Sequence, residues 1–181
     1  MRAEFDAAKA QGLFPMGQVP VLVSTAGGKP TTVCQSKAIA RYLASKTGLL
    51  GASAEEAADI DSVCEAIVDL QQASGNASDD AKREAFLREK LPTTLATLEK
   101  LLGSGFAVGG KLSQADVFLY HLATWFFEPT PWTTEAAKPT NASAKALVHA
   151  SPKVAAIVAA VKALPGVAAH EAGRAARGEA F

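Results

Sequence analysis

Apolar residues recur along this chain with two different periods, and the change of period divides it. Near the start, "QVPVLVS" alternates: Val19, Val21 and Val23 fall on one face and Leu22 on the other, the period of a strand. Gly27-Gly28, inside "TAGGKP", can take the positive φ of a tight turn. "TTVC" then reads as the partner strand of a β-hairpin. From Ser36 onward the spacing is helical. "KAIARYLASKTG" carries Ile39, Tyr42 and Leu43 three or four apart, Ser36 sits where an N-cap belongs, and Gly48 where a C-cap glycine belongs. Residues 2 to 12 show neither period and read as the end of a strand followed by a loose helical turn.

Beyond residue 53 every predicted element is a helix. Ser53 and Glu56 form a capping box that opens a helix over 54–72, with Ile60, Val63, Ile67 and Leu70 on its apolar face. "ASGNASDD" interrupts the pattern, and a second helix is predicted over 81–102, kinked at Pro92. After the glycine-rich "GSGFAVGGK" comes a helix over 114–127. Its start combines Ser113 and Asp116 as a capping box with Leu112 and Val117 as a hydrophobic staple, a structural device worth about 1 kcal/mol or more. A proline-rich loop, "EPTPWTTEAAKPTNAS", precedes a last helix over 152–163 and a tail. The predicted organisation is a hairpin-plus-helix domain over 1–48, a linker over 49–53 and an all-helical domain over 54–181. One hairpin and one helix do not cover both faces of a sheet, so 1–48 is expected to be part of a larger α/β unit.

Composition narrows the partners. Lys+Arg and Asp+Glu both total 18 among 181 residues, and no basic run occurs, which argues against nucleic acid as the main ligand. No apolar run approaches the ~20 residues of a membrane span. The start "MRAEFDAAKAQG" lacks a secretory core, so the cytoplasm is the expected compartment, or an organelle if the N-terminus is processed. Cys34 and Cys64 have no metal or redox spacing and are expected to be free thiols, and His121, His149 and His170 have no ligand spacing, so no metal is expected.

Two short features carry candidate chemistry. A cis peptide at Val19-Pro20 turns the neighbouring backbone outward for an extended ligand; from the dipeptide alone a trans bond is the commoner outcome. Gln35-Ser36 stands at a helix N-terminus, whose unpaired N–H groups and dipole favour a carboxylate; a plain N-cap is the ordinary role of such a serine. Asp69 lies on an otherwise apolar helix face, either solvated or reaching for a partner, and Trp125, Phe126 and Phe127 end their helix as an aromatic cluster.

In order, "LFPMGQVPVLV", "CQSKAIARYLASKTGLLG", "EEAADIDSVCEAIVDLQ" and "LSQADVFLYH" resemble the cytosolic glutathione transferases, closest to the sigma class with alpha, mu and pi as relatives. The resemblance runs over nearly the whole chain. It implies an α/β thioredoxin-like N-terminal domain and an all-α C-terminal domain, with glutathione as substrate. Val19 then corresponds to the residue before the family's cis-proline, Pro20, whose backbone pairs with the cysteinyl part of glutathione, and Gln18 lies beside it. Gln35 and Ser36 correspond to the pair that holds the γ-glutamyl group. Asp69 corresponds to the acid that reaches across a homodimer to the γ-glutamyl amine, and Ser113 and Asp116 to the family's capping box. The second substrate is expected near Ser74 to Asn76, Trp125 and the tail. The family's opening β-α-β unit, which carries the activating Tyr, Ser or Cys, has no counterpart here. The expectation is therefore an N-terminally truncated domain lacking the first β-α and most of the second strand, with the catalytic residue unassigned. Three functions follow: conjugation of glutathione to electrophiles in detoxification, where the N-terminal segment exists; a non-catalytic subunit of a larger assembly, with neighbouring chains covering the sheet; or glutathione binding without turnover.

Overall fold

The computed structural model describes residues 2–128 and 134–177. Two compact units emerge, Met1–Leu49 and Leu50–Phe181.

The first unit opens with a helix, α1 (Arg2–Ala10), where strand and loose turn were expected. Four alanines and the absence of β-branched residues favour helix there, and Phe5 stacks on Phe14 of the following loop at 5.1 Å. The hairpin follows as β1 (Val21–Ser24) and β2 (Thr31–Cys34), paired antiparallel with Val21 opposite Cys34 and Ser24 opposite Thr31. Gly28, in the turn, has φ +80°, which is why a glycine stands there. Helix α2 (Ser36–Thr47) packs on both strands, and the Tyr42 hydroxyl donates to Ser24 Oγ at 2.9 Å. Gly48 ends the helix in the left-handed conformation, as its sequence position predicts.

The second unit is helical: α3 (Ala54–Gly75), α4 (Asp80–Ala85), α5 (Leu91–Leu101), α6 (Gln114–His121), α7 (Lys138–Ala150), α8 (Pro152–Lys162) and α9 (Pro165–Ala176). The predicted kink at Pro92 takes the form of a π-helical turn over Phe86–Lys90, in which the Leu91 N–H reaches back to the Phe86 carbonyl. A second π turn, Leu122–Phe126, extends α6. Helix α7 occupies much of the expected proline-rich loop. Pro139 lies in its first turn, where the missing N–H costs nothing, so this proline starts a helix instead of preventing one. Pro165 opens α9 in the same way, in what was expected to be a tail. Pro129 to Thr133, also within that expected loop, lie outside the described residues.

Helix α6 is central, packed against α3 and α8. Around it Ile67, Leu70, Leu91, Leu98, Leu119, Leu122, Ile157 and Val161 are almost fully buried, each side chain contributing about 1.5–3 kcal/mol on burial. The Asp116 carboxylate is buried at the entry to α6. It accepts from the Ser113 N–H and hydroxyl, both at 2.7 Å, and from the Ala107 N–H at 2.6 Å. It therefore ties the helix start to the preceding glycine-rich loop. Half of the expected α3 capping box forms: Glu56 N–H donates to Ser53 Oγ, but Glu56 Oε2 accepts from the Ala52 N–H, one residue before the N-cap. Among the described residues no single helix is long and apolar enough to cross a membrane, no group of His, Cys, Asp and Glu is placed to hold a metal, and Cys34 and Cys64 form no disulfide.

Candidate functional site

The hairpin register builds the site. Because Val21 faces Cys34, the residues just outside the ladder, Pro20 and Gln35, come next to each other across the strand pair. A cleft of about 60 Å³ opens there, lined by Met16, Gln18, Val19, Pro20, Cys34, Gln35 and Ser36. The structure thus brings together Gln18, Val19, Pro20, Gln35 and Ser36 from two separate stretches. The Val19-Pro20 peptide is cis, and Val19 is 58% exposed.

At the other lip, Gln35 holds φ +72° and ψ 122°. Among the described residues it is the one non-glycine with positive φ, a conformation that costs a bulky L-residue about 1–3 kcal/mol and clusters at ligand sites. Its amide donates to Gln18 Oε1 at 3.4 Å and approaches Met16 Sδ at 3.5 Å, bridging the two lips. Ser36 was expected as the N-cap of this helix. Instead Gln35 takes the cap position and makes no side-chain cap bond, while Ser36 is the first helical residue. A serine one residue inside the helix has no N–H to cap. Its hydroxyl has no hydrogen-bond partner among the described residues and sits beside the first-turn N–H groups, which find no acceptor within the helix. Such a site suits a carboxylate.

The remaining candidates separate from this cluster. Asp69 belongs to the helical unit; it is exposed on α3 and has no partner among the described residues. Both tyrosine hydroxyls are engaged in hydrogen bonds. Tyr42 donates to Ser24. Tyr120 donates to Glu171 Oε1 at 3.1 Å, and burial first, then that bond, holds its hydroxyl above the ordinary phenol range. Trp125 lies under the Arg174 guanidinium, 3.2 Å from the ring centroid, so α9 covers the aromatic cluster. His121, expected in a core or an interface, is exposed beside the Gln71 amide. Sequence reasoning missed Met16 and Cys34 as lining residues. The signal for Cys34 was present in its adjacency to Gln35 at a strand end; for Met16 there was none.

Comparison with known proteins fixes the family. The family described as "Glutathione S-transferase, C-terminal domain" matches residues 65–174. The chain belongs to the glutathione S-transferase family. A Caenorhabditis elegans glutathione S-transferase is 34% identical over 120 residues, covering 59% of this chain and 56% of the relative. A Xenopus laevis glutathione S-transferase P is 36% identical over 119 residues, covering 61% and 53%. The chain therefore spans about half the length of the curated relatives it matches. Among solved structures, the Onchocerca volvulus Pi-class glutathione S-transferase superposes with TM-score 0.70 at 25% identity, over 97% of this chain and 78% of that one. A Necator americanus glutathione S-transferase described as monomeric gives TM-score 0.71 at 25% identity, over 96% and 81%. In this transferase-family chain the fold is that of the family: a thioredoxin-like part, contributing the hairpin and α2, followed by the all-helical domain.

Proposed function

We propose that this chain binds glutathione in the cleft between the cis-proline strand and the start of α2, and that the bound thiol is conjugated to small electrophiles. The observation that carries the reading is the convergence on one cleft of Gln18, Val19-Pro20, the positive-φ Gln35 and the unpartnered Ser36 hydroxyl. In this reading the γ-glutamyl carboxylate meets the Ser36 hydroxyl and the first-turn N–H groups of α2, where the helix dipole favours negative charge. Gln35 and Gln18 orient the head group, and the Val19 backbone pairs with the cysteinyl residue as an added strand does. In a homodimer, Asp69 of a second copy supplies the acid for the γ-glutamyl amine. A thiol of pKa near 8.5 needs a donor to be thiolate at neutral pH; no residue of this chain is assigned that role.

Calorimetric titration with glutathione tests the binding step. Ser36→Ala and Gln35→Ala are expected to weaken binding about tenfold each, the loss of one charge-assisted hydrogen bond. Binding that neither substitution changes would sink the reading. Conjugation of a chlorodinitrobenzene, followed by absorbance, tests turnover separately.

A further inference from the structure

Met16 lines the cleft, and the glutathione reading gives it no role. Its thioether helps to fix one side chain. The Gln35 amide nitrogen carries two N–H donors. Its two acceptors are Gln18 Oε1 at 3.4 Å and Met16 Sδ at 3.5 Å, both on the opposite lip. Gln35 Oε1 accepts from no group among the described residues, so the carbonyl end of the amide is the one left for a ligand. The last torsion of a glutamine is broad and two-fold. A second acceptor across the cleft therefore selects one of two orientations for this exposed side chain. Gln18, whose Oε1 is engaged, keeps its Nε2 donors in the same way. The cleft thus presents an acceptor from Gln35 and donors from Gln18 and Ser36, a fixed polarity for a head group that carries both ammonium and carboxylate.

Sulfur is a weak acceptor, and it is one that chemistry can change. Met16 is 61% exposed, and Met1 is the chain's only other methionine. Hydrogen peroxide transfers one oxygen atom to a thioether. The O–O bond breaks, an S–O bond forms, and water leaves; the sulfur loses two electrons and the peroxide gains them. A sulfoxide is larger and more polar than the thioether, so a 3.5 Å N–H···S contact does not survive the change.

We propose that Met16 is a positioning residue of this cleft, setting the Gln35 amide through its thioether, and that oxidation of that thioether to the sulfoxide loosens glutathione binding. The proposal rests on the glutathione reading, in which Met16 itself touches no ligand.

The test is calorimetric titration of the full chain with glutathione and with the analogue that lacks the γ-glutamyl amino group. Met16→Leu keeps the size and apolar character and removes the acceptor. It is expected to weaken glutathione about threefold, the worth of one weak hydrogen bond. The analogue, which brings no ammonium to Gln35 Oε1, is expected to bind both proteins alike. Met16→Gln returns an acceptor and is expected to restore most of the affinity. Hydrogen peroxide, followed by a thiol reductant that returns cysteine sulfenate and leaves methionine sulfoxide, is expected to cause a loss of similar size. Methionine sulfoxide reductase should reverse that loss, and Met16→Leu should not show it.

Glutathione affinity unchanged in Met16→Leu overturns the proposal and leaves the glutathione reading standing. Equal weakening of both ligands without rescue by glutamine marks a packing role and overturns it too. A peroxide loss that persists in Met16→Leu points to another group, such as Cys34, and overturns it. So does a loss that follows a change in self-association, measured by sedimentation of the same samples, since Met16 would then lie at a contact between copies. Absence of glutathione binding by the unmodified chain is the one outcome that removes the proposed function together with this inference.

Discussion

The two units of this chain differ sharply in how much of their apolar surface they bury. In Leu50–Phe181 the helices enclose a continuous core, from Ile60 on α3 to Val161 on α8. In Met1–Leu49, Ala44 is the only described side chain that is fully inside, and Leu13, Met16, Val19 and Val23 are each more than half exposed. Yet the cleft with the cis-proline, the positive-φ glutamine and the open serine belongs to the thinly packed unit. Burial drives folding in one region; in the other a short hydrogen-bonded ladder and a few side-chain contacts hold the cleft residues in place. The segment matched by the family model and the residues of the proposed site thus lie on parts of the molecule with very different margins.

The sharpest way to break that comparison is to attack the strong unit at its polar hinge. Asp116→Ala removes the acceptor of two backbone N–H groups and a hydroxyl, all buried. Each orphaned buried donor costs about 1–3 kcal/mol, so a loss of roughly 3 kcal/mol or more is expected in urea unfolding of the helical unit. A loss below about 1 kcal/mol would mean that the α6 entry is not the tie the geometry describes.

Hydrogen exchange sharpens the comparison from the other side. Amides of β1 and β2 are expected to exchange at least about tenfold faster than those in the middle of α3 and α6, because local opening of the first unit exposes little buried surface. Equal protection would show that the two units open together. Within the first unit, Gln35→Gly relieves the positive-φ cost and is expected to raise its stability by up to about 1 kcal/mol. The same change is expected to weaken glutathione binding, since the amide bridging to Gln18 is lost. A variant more stable yet unimpaired in binding would separate the strained backbone from the site.

Much of this division is legible in the residues. Period-two alternation located β1, and 3/4 spacing located α2, α3 and α5, because each element buries one face and exposes the other. Capping boxes located the starts of α3 and α6. Helices α7 and α9 escaped notice because their first-turn prolines, Pro139 and Pro165, read as breakers when taken alone. The start of α8 is held by Glu99 of α5, which accepts from the Lys153 N–H at 2.9 Å; no local pattern carries a cap supplied by another helix. The cleft was legible residue by residue through family resemblance. The bridge from Gln35 to Gln18 was not, since it depends on the hairpin register and on a backbone conformation that composition does not encode.

The smallest effect concerns His121 in the strong unit. Burial holds its imidazole below the ordinary value of 6.5. Protonation is therefore harder in the folded chain than in the unfolded one. The stability associated with the neutral ring is fully present above about pH 6.5 and is lost as pH falls through the lower folded value. Much of the ring still meets solvent beside Gln71 and Phe126, so screening limits the effect to about 0.5 kcal/mol or less. Thermal unfolding at about pH 5.5 and about pH 7.5 should show a slightly lower Tm at the acid end. In His121→Gln that part of the difference should vanish. Were the pH dependence identical in the two proteins, the imidazole would be as well solvated as a free histidine, and the interior of the helical unit would end short of the π turn that extends α6.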